Sequence, residues 1–207
     1  MEVFTVIKDL IVAGAAITAA IVAVKGLDTW RRQLKGHSEY ELSRRILVTL
    51  FKYRDAVNDV RHPAMWNYEI PKPSDEVKES MDAGQIRFYG TSKAYQARWE
   101  KVQDERTSLY ADLLEAEAIW GDDLNNHFKD VFGLQHELFT NIRLYLELIN
   151  PEVPEHSKEA IRKVDENKRD IMYDNLGEEP DEFKSDLITA IKKIEVYLKP
   201  KLNQEKI

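Results

Sequence analysis

Leu10 to Val24 reads LIVAGAAITAAIVAV, fifteen residues without a charge. As a helix the run rises only about 22 Å, against a bilayer hydrocarbon core of about 30 Å. Its flanks lengthen it: Val3 to Ile7 is also apolar in character, and Gly26-Leu27 continues the far end. Lys8 and Lys25 can send their ammonium groups along the helix toward headgroups, which gives a span over 8–27. Trp30 falls about one turn beyond Leu27, where an amphipathic ring suits the interface. The competing reading is a buried core helix, apolar all round. Four turns without a polar stripe favour lipid. A cleaved signal peptide fits less well, because Met1-Glu2-Val3 supplies no basic n-region and no clear small-x-small site follows.

Basic residues set the expected orientation. Residues 1–7 are expected outside as a short N-terminus, since that flank offers only Lys8, offset by Glu2 and Asp9. The segment 28–37 follows the span with Arg31, Arg32 and Lys35, and Lys25 precedes them. Positive residues favour the cytoplasmic side, so the bulk is expected there, with anionic lipid adding about 1 kcal/mol for each cation near the surface. Within the span, Gly14 with Thr18 and Ala15 with Ala19 form small-xxx-small pairs. Such a face permits close helix packing in lipid and so a homo-oligomer; the alternative is that alanines merely fill a marginal span.

Composition limits the rest. At 207 residues, less the span, the chain suits one further domain. With no cysteine there is no disulfide framework, thiolate zinc site or cysteine nucleophile. The net charge is −7, yet Lys25 to Arg61 carries nine basic residues against five acidic ones. A basic collar on an acidic body argues against nucleic acid, which needs a broad basic face, and for membrane lipid.

Helical periodicity then dominates. Gly36 is expected to interrupt the helix leaving the membrane, and Ser38 with Glu41 reads as a capping box. Leu42, Ile46, Thr49/Leu50, Tyr53, Val57 and Val60 recur at helical spacing until Pro63, with Arg44, Arg45, Lys52, Arg54 and Arg61 on the polar side. Residues 62–90 read as the least regular part, with Pro71-Lys72-Pro73 extended and Ser74-Asp75-Glu76 able to start a short helix, and so long a connection is mobile or functional. Trp66, Tyr68, Phe88 and Tyr89 are its candidate partner contacts; the alternative is that these rings fold back onto the body. Thr91 or Ser92 is expected to cap a helix carrying Tyr95, Trp99, Val102, Leu109, Leu113, Ala116 and Trp120. Gly121-Asp122-Asp123 reads as a corner. The next stripe runs Leu124, Phe128, Val131/Phe132, Gln135, Leu138/Phe139, Ile142, Tyr145/Leu146, Ile149. A weak helix from Ser157 is expected to close at Asn175-Gly177. Asp181 caps a last one with Phe183, Leu187, Ile188, Ile191, Ile194 and Leu198, ended by Pro200, with 201–207 as a tail. The expected fold is all-α: one N-terminal transmembrane helix, then an antiparallel bundle of about four long helices over 38–200.

Several blocks carry a resemblance: TWRRQLKG at 29–36, SEYELSRRILVTLFKYRDAVNDVRHP at 38–63, Ala116 to Gly121, Asp170 to Tyr173, and the pattern from Asp181 to Pro200. Together they resemble a group of uncharacterised small bacterial single-span membrane-anchored helical proteins. The resemblance implies a bacterial inner-membrane setting and carries no activity with it.

Reactive constellations are sparse. Asp123 and His127 stand four apart, with His136-Glu137 further on, but neither His-Glu-x-x-His nor paired Glu-x-x-His patterns occur. No metal or cofactor is expected. Glycine-rich phosphate loops and nucleophile elbows are missing from the sequence. Asp112, Glu115 and Glu117 can be read as acid–base candidates, and Arg44, Arg45, Arg54 and Arg61 as phosphate ligands; ion-paired helix faces explain both sets better. Two functions remain. One is a non-enzymatic interaction or scaffold protein at the cytoplasmic membrane face, with a protein partner. The other is an enzyme or small-ligand sensor with a site assembled from separated residues.

Overall fold

The apolar helix does not stop at the expected membrane boundary. The computed structural model describes residues 2–165, 169–177 and 181–203, with α1 side chains at Ile7 and from Ile11 onward, and with the Asp165 side chain left out. In it helix α1 runs unbroken over Glu2–Arg61. The expected interruption at Gly36 and restart at Ser38 are therefore overturned. A mid-helix glycine costs about 1 kcal/mol relative to alanine, too little to stop a helix flanked by Leu34, Lys35 and Glu39. Proline removes a donor and restricts the residue before it, and α1 ends ahead of Pro63.

Five more helices follow among the described residues, and no strand: α2 Asp75–Lys78, α3 Ala83–Trp120, α4 Asp123–Ile149, α5 Glu155–Asp165 and α6 Glu182–Leu202. Helix α3 begins eight residues before Thr91, which corrects the expected start. Asp82 accepts from the Gln85 N–H (2.8 Å) while the Gln85 side chain accepts from the Asp82 N–H (2.9 Å), a reciprocal cap that Gly84 and Gly90 disguise. Residues 169–177 are irregular, so the weak helix ends at Asp165 and not at Asn175. Helix α6 passes through Pro200 to Leu202. A proline two residues before a helix end forfeits one hydrogen bond and leaves little to break.

The chain divides into two units, Met1–Arg44 with Lys199–Ile207, and Arg45–Leu198. In the first, every side chain from Ile11 to Lys35 is exposed. Thr18 donates its hydroxyl to the Gly14 carbonyl (2.8 Å) and Thr29 to that of Lys25 (2.9 Å). Among the described residues α1 is the one helix long and apolar enough to cross a membrane, with a mean hydropathy of 1.8 over its most apolar window.

The second unit holds the core. Ile46, Leu50, Tyr53, Val57 and Val60 are buried, as are Tyr95, Val102, Leu109, Leu113 and Ala116 of α3. Helix α4 buries Leu124, Phe128, Val131, Gln135, Leu138 and Ile142; α6 buries Phe183, Leu187, Ile191, Ile194 and Leu198. Phe139 and Ile188 sit one step around the helix from these stripes and are exposed. Gly121, at φ +73°, closes α3 in a conformation that a side chain would strain. The chain then returns antiparallel: Tyr95 meets Tyr145 (ring centroids 5.8 Å), Trp99 meets Phe139 (5.0 Å), and Glu117 accepts from Asn125 (2.8 Å). Inside the core the Tyr53 hydroxyl donates to Gln135 Oε1 (2.9 Å), which meets the requirement that buried polar atoms be paired.

Candidate functional site

Helix α3 carries Ala94, Tyr95, Arg98 and Val102 on its buried face, so one cation lies in an apolar register. A buried guanidinium needs acceptors in its own plane. Arg98 finds four: Glu69 Oε1 (3.1 Å) and Oε2 (2.8 Å), and the carbonyls of His62 (2.9 Å) and Ala64 (2.7 Å). Glu69 Oε2 also accepts from the Trp66 N–H (2.9 Å), and the Glu69 N–H donates to the Trp66 carbonyl (2.8 Å). The loop after α1 is thereby tied to α3 at several backbone points. Next along it, Ile70 and Pro71 lie so close that a Cβ on Gly90 would come within 2.6 Å of Ile70 Cγ2.

On this fastened backbone two large rings face solvent: Trp66 is 57 % and Tyr68 84 % exposed. Phe88 and Tyr89 are half-buried in the opening turns of α3. Within the connection 62–90, α2 is the short helix expected after Ser74, and the early start of α3 takes up its last residues. Arg98 and Glu69 escape sequence reading as a pair, although Arg98 at i+3 from Tyr95 and i−4 from Val102 signals a cation on the core face.

The Arg98 hydrogen bond holds the Glu69 carboxyl below its ordinary value of 4.5, against the opposing effect of partial burial. A carboxyl depressed by folding stabilises above its unfolded value and loses that contribution as pH falls through the folded one. Glu69→Gln should therefore flatten the acid limb of stability between pH 4.5 and the depressed value. Denaturant midpoints for both proteins across that range test this. Parallel curves would detach Glu69 from the linkage.

A second clamp lies at the same end of the unit, where Arg61 precedes the His62 carbonyl that Arg98 holds. Arg61, expected on the polar side of its helix, is 1 % exposed, which corrects that reading. It donates to the carbonyls of Ile171 (2.8 Å) and Tyr173 (2.8 Å) and to Asp181 Oδ1 (3.1 Å), with Nη1 3.0 Å from Asp181 Oδ2. Its guanidinium lies 4.6 Å from the Phe183 ring centroid, and that of Arg169 lies 5.8 Å from the same ring. Arg169 forks onto Glu137 (3.0 and 2.8 Å) and reaches Asp186 (2.5 Å). Burial first, then the neighbouring Tyr173, pushes the Tyr145 phenol up to about 12 and that of Tyr95 further. These phenols stay protonated at neutral pH.

No protein-family model matches this sequence, and no curated protein or solved structure is similar to it. Among the described residues no three histidine, aspartate or glutamate side chains gather to hold a metal ion. Asp112 and Glu115 both take Arg45, the former at 2.6 Å, and Glu117 takes Asn125. Arg44 pairs with Glu41 (2.9 Å) and Arg54 with Asp55 (2.7 Å). His127 stacks near Tyr197 (5.2 Å), and His136 is exposed on α4. A surface groove between α4 and α6 is lined by His127, Ile188, Lys192, Lys193 and Val196. Its two lysines pair with Glu195 and Asp130.

The membrane-facing candidates lie on α1. Lys25, Trp30, Arg31, Arg32 and Lys35 are exposed, and Lys35 approaches Glu39 at 3.8 Å. Gly14, Ala15, Thr18 and Ala19 are exposed, and a Cβ on Gly14 would meet nothing within 4 Å. The Lys8 side chain lies outside the described residues.

Proposed function

We propose that the chain is a single-pass protein of a bacterial inner membrane that acts without catalysis, holding an interaction surface at the cytoplasmic face. The observation that carries this reading is the exposure of every side chain from Ile11 to Val24, an apolar surface that none of the described residues buries. Covering an exposed Val or Ile is worth about 1.5–3 kcal/mol, and lipid is the cover that fits a helix apolar on all sides. The Thr18 hydroxyl, satisfied by Gly14, suits hydrocarbon for the same reason. Lys25, Arg31, Arg32 and Lys35 favour the orientation with the N-terminus outside. The bacterial setting comes from the resemblance of the sequence blocks. Gly14, Thr18, Ala15 and Ala19 offer a packing face to a second copy.

In this proposal residues 45–61 of α1, with α3, α4 and α6, form an up-down-up-down antiparallel bundle. Two pairs of contacts support it: Arg45 with Asp112 against Arg98 with the His62 carbonyl runs α3 antiparallel to α1, and Asp130 with Lys193, one turn from His127 with Tyr197, gives α6 the same sense against α4. Trp66 and Tyr68, held out by the Arg98–Glu69 clamp, are the contact for a protein partner. Exposed aromatics on a pre-ordered backbone lose little entropy when they bind.

Two experiments test the proposal. Membrane fractions washed with high salt and alkaline carbonate should retain the protein; release into the wash removes the anchor. Trp66→Ala with Tyr68→Ala should abolish in-cell crosslinking to the partner, since such anchors are commonly worth about 2 kcal/mol or more each. The thermal midpoint should stay within about 2 °C, because neither ring is buried. Lost stability with crosslinking intact would return both rings to a structural role.

A further inference from the structure

Beyond Gly26 the first helix carries a pattern that a plain stalk does not need. Leu27, Trp30 and Leu34 stand at i, i+3 and i+7, hence on one face, and are 46 %, 59 % and 56 % exposed. Lys25, Arg32 and Lys35 share another face at the same kind of spacing, and Arg31, i+4 from Leu27 and i−3 from Leu34, stands at the border between the two. Asp28 lies inside this basic arc, and Lys35 also approaches Glu39. Gly26 and Gly36 bracket the segment, and a Cβ at either would meet nothing within 4 Å. Neither glycine makes room for a neighbour, so what each supplies is a softer point in the helix.

We propose that residues 27–35 form an amphipathic segment that lies along an anionic phospholipid surface and pivots at Gly26. Leu27, Trp30 and Leu34 turn to the acyl chains, and Arg31, Arg32 and Lys35 to the headgroups. This inference rests on the membrane-span reading. Two features argue for lipid as the cover. The apolar face begins where the span ends, and the adjoining face is basic, the complement of an anionic leaflet. A straight helix leaving the bilayer would instead lift Leu34 about 10 Å above Leu27 and strand it in water.

The chain has no cysteine, so Ile17→Cys, Leu27→Cys, Arg32→Cys, Leu34→Cys and Lys35→Cys can each carry a single spin label. The labelled proteins are placed in vesicles of phosphatidylcholine, alone or with phosphatidylglycerol, and immersion is read as relaxation by oxygen against a water-soluble nickel chelate. Positions 27 and 34 should be immersed and 32 and 35 in water, with 34 deeper when phosphatidylglycerol is present. Arg31→Gln, Arg32→Gln and Lys35→Gln together should erase that lipid difference while position 17 stays immersed. Immersion that declines steadily from 27 to 35, whatever the face, overturns the proposal. So does shielding of 27 and 34 from both reagents with label–label broadening, which makes a second copy the cover. Access of the nickel reagent to position 17 would remove the span itself, so the two failures are distinguishable.

Discussion

Arg61→Ala should lower stability by on the order of 3–5 kcal/mol and the thermal midpoint by about 10 °C or more. The side chain is the largest among those that solvent does not reach, and four acceptor contacts converge on it from residues 171–181. Its removal leaves the Ile171 and Tyr173 carbonyls without this donor and the Asp181 carboxylate, whose side chain is 9 % exposed, without its counter-charge. It also empties the space over Phe183. Breaking one partner of a buried pair costs far more than the pair contributes over an apolar replacement. Arg61→Met with Asp181→Asn should therefore recover more than half of the loss, because asparagine keeps the acceptor that caps α6 through the Lys184 N–H (2.8 Å) and leaves no lone charge. Denaturant titration of the full-length protein in detergent, followed by circular dichroism, gives both numbers. A loss below about 1 kcal/mol, as for an exposed arginine, would sink the clamp.

That clamp also marks where sequence stops speaking. The stripes from Ile46 to Val60 and from Leu124 to Ile142 are legible because burial on a helix repeats every three to four residues, and the pattern survives without knowledge of partners. Arg61 continues the same register, at i+4 from Val57. A cation there reads as solvated unless Asp181, far along the chain, is known to lie beside it. Arg98 poses the same problem with Glu69. Pairing across such separations is set by tertiary packing, which no local window contains.

Boundaries fail for a different reason. Gly36, Gly84 and Gly90 each look like punctuation, yet glycine only weakens a helix, and the reciprocal cap at Asp82 and Gln85 outweighs the two glycines that follow. Gly90 has its own cause in the close approach of Ile70. Trp66 and Tyr68 illustrate the middle ground. Their identity as large rings in a proline-rich connection is plain from sequence, whereas the choice between core and solvent depends on Arg98 tying the backbone down while the rings stay out.

The second large effect is expected at the opposite end of the chain. On the insertion scale, the seven large aliphatics Leu10, Ile11, Val12, Ile17, Ile21, Val22 and Val24 together favour the membrane by roughly 2–4 kcal/mol. The small residues between them add little, so the proposed span is marginal. One lysine near the helix centre costs about 2.5–3.5 kcal/mol on the same scale, enough to cancel the preference. Ile17→Lys with Ile21→Lys should overturn it, since both positions are too far from either interface for the ammonium groups to reach headgroups comfortably. The double variant should move from the carbonate-resistant pellet to the wash. Its helical body should keep a wild-type thermal midpoint, because Ile17 and Ile21 are exposed and contribute nothing to the core of the 45–198 unit. Retention of the double variant alongside wild type would mean that something other than this helix holds the protein at the membrane. A lowered midpoint would mean that the apolar face of α1 is covered by protein and not by lipid.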